Sequence, residues 1–76
     1  MNTLDKAIPN TNVVVKRIDG EQATKRRLMD MGVLPGTLIY VRKIAPLGDP
    51  IEITVKKSEI TLRKCDAKSV YIETIA

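Results

Sequence analysis

The sequence contains no histidine, no phenylalanine and no tryptophan, and its one cysteine is Cys65. Without histidine the chain lacks the side chain most used for acid–base catalysis and the commonest metal ligand. Cys65 has no histidine to activate it as a nucleophile and no adjacent ligand toward the N/S set that zinc requires, while the scattered carboxylates show no calcium-loop spacing. It is expected to be a half-buried small residue. Neither a Gly-Lys-Ser/Thr phosphate loop nor a G-x-G-x-x-G fingerprint occurs. These absences lead to the expectation of no catalytic residue, no metal site and no cofactor. A lone cysteine makes no internal disulfide, which suits a reducing compartment. Apolar runs extend only a few residues, far short of the roughly 20 that span a bilayer, and the N-terminus lacks a signal-peptide core. The expected location is therefore cytoplasmic.

What is present bounds the answer from the other side. A chain of 76 residues makes one domain, residues 1–76, and at this size folding hides only about 60% of the unfolded surface. Apolar residues make up 43% of it and the aromatics are two tyrosines, so the core is built from Val, Ile, Leu and Met. Thirteen basic against nine acidic residues give a net charge of +4, which favours acidic partners without naming one. The cations cluster as Lys16-Arg17, Lys25-Arg26-Arg27, Arg42-Lys43, Lys56-Lys57 and Arg63-Lys64. On a strand, neighbours point to opposite faces, so each strand doublet is expected to split across the sheet rather than form a stripe. With only Tyr40 and Tyr71 to stack bases, no nucleic-acid partner is expected.

Thr3–Ala7 has room for one helical turn, and turn formers follow through Asn12. Val13–Ile18 then reads as a strand ended by Asp19-Gly20. Asp19 as N-cap with Gln22 in a capping box predicts a helix over residues 20–31, stopped by Gly32 and Pro35. Its Thr24, Leu28 and Met31 share the core face, leaving Lys25 and the apolar Met29 pointing largely away. Pro35-Gly36 presets a turn into a second strand over 37–45, and Pro46–Pro50 is a loop joining it in a hairpin to the next. Ile51, Ile53 and Val55, then Ile60 and Leu62, alternate with polar residues as the third and fourth strands. Cys65–Ser69 is long enough for a helical turn before a fifth strand with Val70 and Ile72 inward. The fold class expected is mostly β: a small, SH3-like, partly open antiparallel barrel of about five strands with one short helix after the first.

Three stretches in order carry a family resemblance: Arg26-Arg27-Leu28-Met29-Asp30-Met31-Gly32-Val33-Leu34-Pro35-Gly36, then Ala45-Pro46-Leu47-Gly48-Asp49-Pro50-Ile51, then Leu62-Arg63-Lys64-Cys65-Asp66-Ala67. Together they resemble the FeoA family, ferrous iron transport protein A, from Leu4 to about Ile72. The resemblance implies a small cytosolic SH3-like protein, encoded beside the membrane transporter FeoB and acting on its cytosolic region. The same fold resembles the C-terminal domain of diphtheria-toxin-repressor-like metalloregulators, and the missing N-terminal helix-turn-helix domain argues against a repressor. The chain departs from the family where relatives often carry a Gly-aromatic pair and it has Lys57-Ser58, and where they often carry Gly and it has Asn10.

The function expected is an accessory or regulatory protein of ferrous iron uptake that binds the FeoB transporter, meeting the membrane only through that partner. The candidate partner-binding residues are Arg26, Arg27 and Met29 on the helix and Leu47, Gly48 and Asp49 in the loop, with Met29 and Leu47 as apolar anchors and the arginines as charge. Two other readings stand beside it: a generic SH3-like peptide-binding module, and a fragment of a metal-responsive regulator.

Overall fold

The computed structural model describes residues 2–75. One antiparallel sheet runs in the order β1-β6-β2-β3-β4-β5, formed by β1 (Asn2–Thr3), β2 (Thr11–Ile18), β3 (Leu38–Ile44), β4 (Ile51–Val55), β5 (Ser58–Leu62) and β6 (Val70–Thr74). The end strands β1 and β5 do not pair with each other, so the barrel stays partly open. Six strands replace the expected five because Asn2 and Thr3, too short to show a period-two pattern, pair with Ile72 and Tyr71. A 3₁₀ turn, Leu4–Lys6, follows β1 and sends Leu4 fully into the core.

The alternation read from the sequence places the core. Val13 and Val15, Ile39 and Val41, Ile51, Ile53 and Val55, and Val70 and Ile72 are all buried, each pair or trio spaced by two as one face of a strand demands. Leu62 closes the barrel from β5 and Leu28 from the helix.

Helix α1 spans Gln22–Asp30, two residues shorter at its start than expected. The capping box does not form, because Asp19 is committed elsewhere: its N–H donates to Ser69 O at 2.8 Å and its carboxylate pairs with Arg17 at 3.1 Å. Glu21 becomes the N-cap residue, with no side-chain cap bond. The helix stop is as read. Gly32, at φ +90°, donates to Met29 O and Val33 donates to Leu28 O, the Schellman pair that satisfies two end carbonyls. Val33 and Leu28 are both buried beneath it. Leu28 is buried, Thr24 and Met31 are half-buried, and Met29 is 53% exposed. Lys25, expected to point away, is half-buried, since three residues before Leu28 sits only about 60° from it around a helix. Pro35 and Gly36 make the turn closed by Thr37 N–H to Leu34 O at 3.0 Å, and Gly36 at φ +89° takes the position that calls for positive φ.

The basic doublets on strands do not split across the sheet. Register shifts fall between Val15 and Arg17 in the β2–β6 ladder and between Val41 and Lys43 in the β3–β4 ladder. Each bulge inserts an extra residue, so both members of Lys16-Arg17 and of Arg42-Lys43 stay exposed. A four-residue helix, α2 (Lys64–Ala67), then links β5 to β6.

Candidate functional site

The expected docking residues lie on two segments, α1 and the Pro46–Pro50 loop, and α2 ties the two together. From α1, an Arg27 guanidinium N–H donates to the Asp66 carboxylate across 39 positions of sequence. The Asp66 side chain is 8% exposed and that of Arg27 56%, so a nearly buried anion is held by a cation that keeps most of its solvent. From the loop, Asp49 Oδ1 accepts the Lys64 backbone N–H at 3.2 Å. This bond serves an N-terminal donor of α2 that its own N-cap residue, Arg63, leaves without a side-chain cap. The Lys64 side chain lies across Gly48, its carbons 3.7 Å from where a Cβ would stand. Gly48 sits at φ +80°, and its N–H to Ala45 O at 2.7 Å closes the tight turn.

Arg27, Gly48 and Asp49 therefore converge on one short helix. Leu47 caps the loop at 87% exposure, the most exposed large apolar side chain among the described residues. Arg26 is also exposed. Met29 follows Arg27 by two positions, which places it roughly 200° around the helix. It presents the other flank of α1, away from the Arg27–Asp66 contact.

Several of the remaining charges have local work. Lys16 pairs with Glu73 at 3.4 Å, and Arg42 bridges Glu52 at 3.5 Å and Glu59 at 2.7 Å. The Arg17 guanidinium covers the Tyr71 ring at 4.4 Å, and the Tyr40 hydroxyl donates to Asn10 at 3.1 Å. Both tyrosines are thereby engaged within the fold. Among the described residues no three His, Cys, Asp or Glu side chains converge. Cys65, expected to be half-buried, is exposed, because α2 turns Asp66 and Ala67 inward instead.

Sequence reasoning missed Asp66 and the cleft it helps to form. That cleft, about 430 Å³, is lined by Arg27, Met31, Thr61, Leu62, Arg63, Cys65 and Asp66. The available signal was an acid set directly before a small residue, Ala67, in a one-turn helix wedged between strands. Such a helix has few positions and must bury some of them.

Comparison with known proteins places this arrangement. The FeoA domain model matches residues 2–74. A Porphyromonas gingivalis protein described as a fusion of Fe(2+) transport protein A with the Fe(2+) transporter FeoB is 32% identical over 63 residues, which are 83% of this chain and 8% of the fusion. The chain thus spans a small fraction of that relative's length. Among solved structures, a FeoA-like protein from Clostridium acetobutylicum superposes with a TM-score of 0.89 at 35% identity, covering 99% of this chain and 87% of that one. The zinc complex of Stenotrophomonas maltophilia FeoA, described as a prokaryotic SH3 domain protein, gives a TM-score of 0.82 at 26% identity, with coverage of 96% and 91%. With the family model spanning nearly every described residue and the fold superposing on these structures, one of them described as an SH3 domain protein, the chain belongs to the FeoA family, which is linked to ferrous iron transport.

Proposed function

We propose that this domain is a non-catalytic accessory of ferrous iron uptake that acts in the cytoplasm by docking on the cytosolic region of FeoB. The observation that carries the reading is the fusion: in the Porphyromonas gingivalis relative, a domain 32% identical to this chain is covalently part of the transporter polypeptide. Joining two modules in one chain raises their effective concentration to the millimolar range, a gain that matters where a weak contact between separate chains does the same task. No helix among the described residues is long and apolar enough to cross a membrane. Leu47 at 87% exposure offers an apolar anchor beside Arg27, Gly48 and Asp49, and Met29 at 53% offers a second on the other flank of α1. These pieces suit a transient interface of under about 1,200 Å².

Co-purification with full-length FeoB tests the reading. Wild-type protein is expected to be retained. Leu47→Asp and Met29→Asp are each expected to keep the wild-type circular dichroism spectrum, since exposed substitutions shift stability by within about 0.5 kcal/mol, and to lose retention. A folded double variant that co-purifies undiminished refutes this docking surface, and failure of the wild type to bind refutes the function.

A further inference from the structure

Strand β5 ends the sheet and pairs on one side only, with β4. Lys56 and Lys57 sit at φ 49° and 72°, the two-residue type I′ turn that closes a tight hairpin. In that turn the flanking pair, Val55 and Ser58, is hydrogen-bonded. The alternation of an antiparallel ladder then makes Ile60–Ile53 and Leu62–Ile51 hydrogen-bonded pairs, and Glu59–Thr54 and Thr61–Glu52 the intervening pairs. The backbone N–H and C=O groups of Glu59 and Thr61 consequently point away from β4, and no described backbone group pairs with them. The opposite end of the sheet offers nothing comparable, because β1 has only two residues.

The cleft is lined by Thr61 and Leu62 of this strand and Arg63 just beyond it, together with Arg27 of α1 and Met31 at its end. Its polarity is one-sided. Lys56 and Lys57 stand at one end of β5 and Arg63 at the other, without a carboxylate partner among the described residues. The nearby acids are already engaged, Asp66 by Arg27 and Glu59 by Arg42. A second copy of this chain is a poor occupant. Antiparallel pairing of two β5 edges centred on Ile60 sets Lys57 of one against Arg63 of the other, and in-register parallel pairing sets Lys57 against Lys57, like charges in both of these registers.

We infer that the free edge of β5 accepts an extended acidic segment of a partner protein as an added strand. The segment's backbone pairs with Glu59 and Thr61, one apolar side chain enters the cleft over Met31 and Leu62, and its carboxylates meet Lys57 and Arg63. This deepens the docking reading above by naming the shape and charge of what is bound, and rests on it only for the identity of the partner.

Two arms test it. In the first, a capped eight-residue peptide alternating Glu and Val is titrated into the protein while amide hydrogen exchange is followed residue by residue. In the free protein Glu59 and Thr61 exchange fast while Ile60 and Leu62, in the ladder, exchange slowly. Peptide is expected to slow Glu59 and Thr61 by at least about tenfold, and to protect Cys65, the only thiol and a cleft residue, from alkylation. A Lys–Val peptide is expected to do neither. Thr61→Pro removes an edge N–H that the β4 ladder does not use, so the fold is retained and peptide affinity falls by about tenfold or more. Lys57→Glu with Arg63→Glu leaves every backbone group in place and is expected to weaken the acidic peptide to a similar degree. In the second arm FeoB replaces the peptide. Glu59 and Thr61 amides that stay unprotected at millimolar Glu–Val peptide overturn the inference. So does equal binding of the Lys–Val peptide, or protection that rises with protein concentration alone and marks a second copy. If FeoB binds the wild type and Thr61→Pro equally, the strand-addition surface fails and the docking reading stands. If FeoB binds neither, the docking reading fails and the peptide arm still decides the edge.

Discussion

Replacing Arg27 with alanine strips the counter-charge from a carboxylate that is 8% exposed, whereas replacing Asp66 with alanine frees a guanidinium that is already 56% exposed. The two halves of one ion pair should therefore differ in cost. In Arg27→Ala the Asp66 carboxylate loses its side-chain donor where water reaches it poorly, a penalty of about 1–3 kcal/mol. In Asp66→Ala the buried charge disappears together with its desolvation cost, and the released Arg27 hydrates freely, leaving a loss of about 1 kcal/mol or less. The double variant should be more stable than Arg27→Ala alone, because the second change removes the stranded anion. Urea unfolding followed by far-ultraviolet circular dichroism measures all four proteins. In thermal melts each 1 kcal/mol is worth about 4–8 °C for a domain this small, so the order wild type, Asp66→Ala, double variant, Arg27→Ala is resolvable. Should Asp66→Ala prove costlier than Arg27→Ala, with no recovery in the double variant, the account of this contact as a buried anion held by a solvated cation is wrong. The cycle also serves the functional question. The double variant regains fold stability while still lacking the Arg27 charge, so lost FeoB binding in it reports on docking rather than on unfolding.

The glycines give a second ordering. Gly20→Ala, at φ +105° with the new Cβ 2.9 Å from Ser69 Oγ, should destabilise more than Gly36→Ala, at φ +89° with nothing within 4 Å. Backbone strain alone is about 1–2 kcal/mol, and Ser69→Ala in the Gly20→Ala background should recover part of the excess in a urea titration. If the two single variants cost the same, the steric contact plays no part. At the β4–β5 turn, changing Lys56 to Asn and Lys57 to Gly should raise stability by about 1 kcal/mol, because positive φ strains lysine and suits Asn-Gly. An unchanged or lower melting temperature would contradict that. Leu28→Ala, at a fully buried position beneath the helix stop, should cost about 2.7–5 kcal/mol, a large part of what a domain of this size holds. Its unfolding midpoint in urea checks the estimate.

Local chemistry was legible wherever a residue's role depends on its neighbours in sequence. Gly32, Pro35 and Gly36 announced the helix stop and the turn because a positive φ or a locked one is a property of the residue itself. The period-two run Ile51, Ile53, Val55 located β4 and its buried face without reference to anything distant. The reading failed where two segments compete for one group. Asp19 has the chemistry of an N-cap, yet a partner 50 positions along, Ser69, takes its backbone and Arg17 its carboxylate. The doublets Lys16-Arg17 and Arg42-Lys43 were expected to split, yet both lie at bulges, which arise from how two strands register.

The candidate site divides along the same line. The sequence alone determined that this is a small aliphatic β domain lacking histidine, with a helix carrying Arg26, Arg27 and Met29 and a Pro-Gly loop carrying Leu47, Gly48 and Asp49, because composition, period and turn residues act at short range. Only the tertiary structure decided that Arg27 and Asp49 reach the same four-residue helix, that Asp66 is buried against Arg27 and that β5 keeps one edge unpaired. Those outcomes depend on contacts between residues up to 39 positions apart and on which strands find partners, and no local preference encodes how far a sheet curls toward closure.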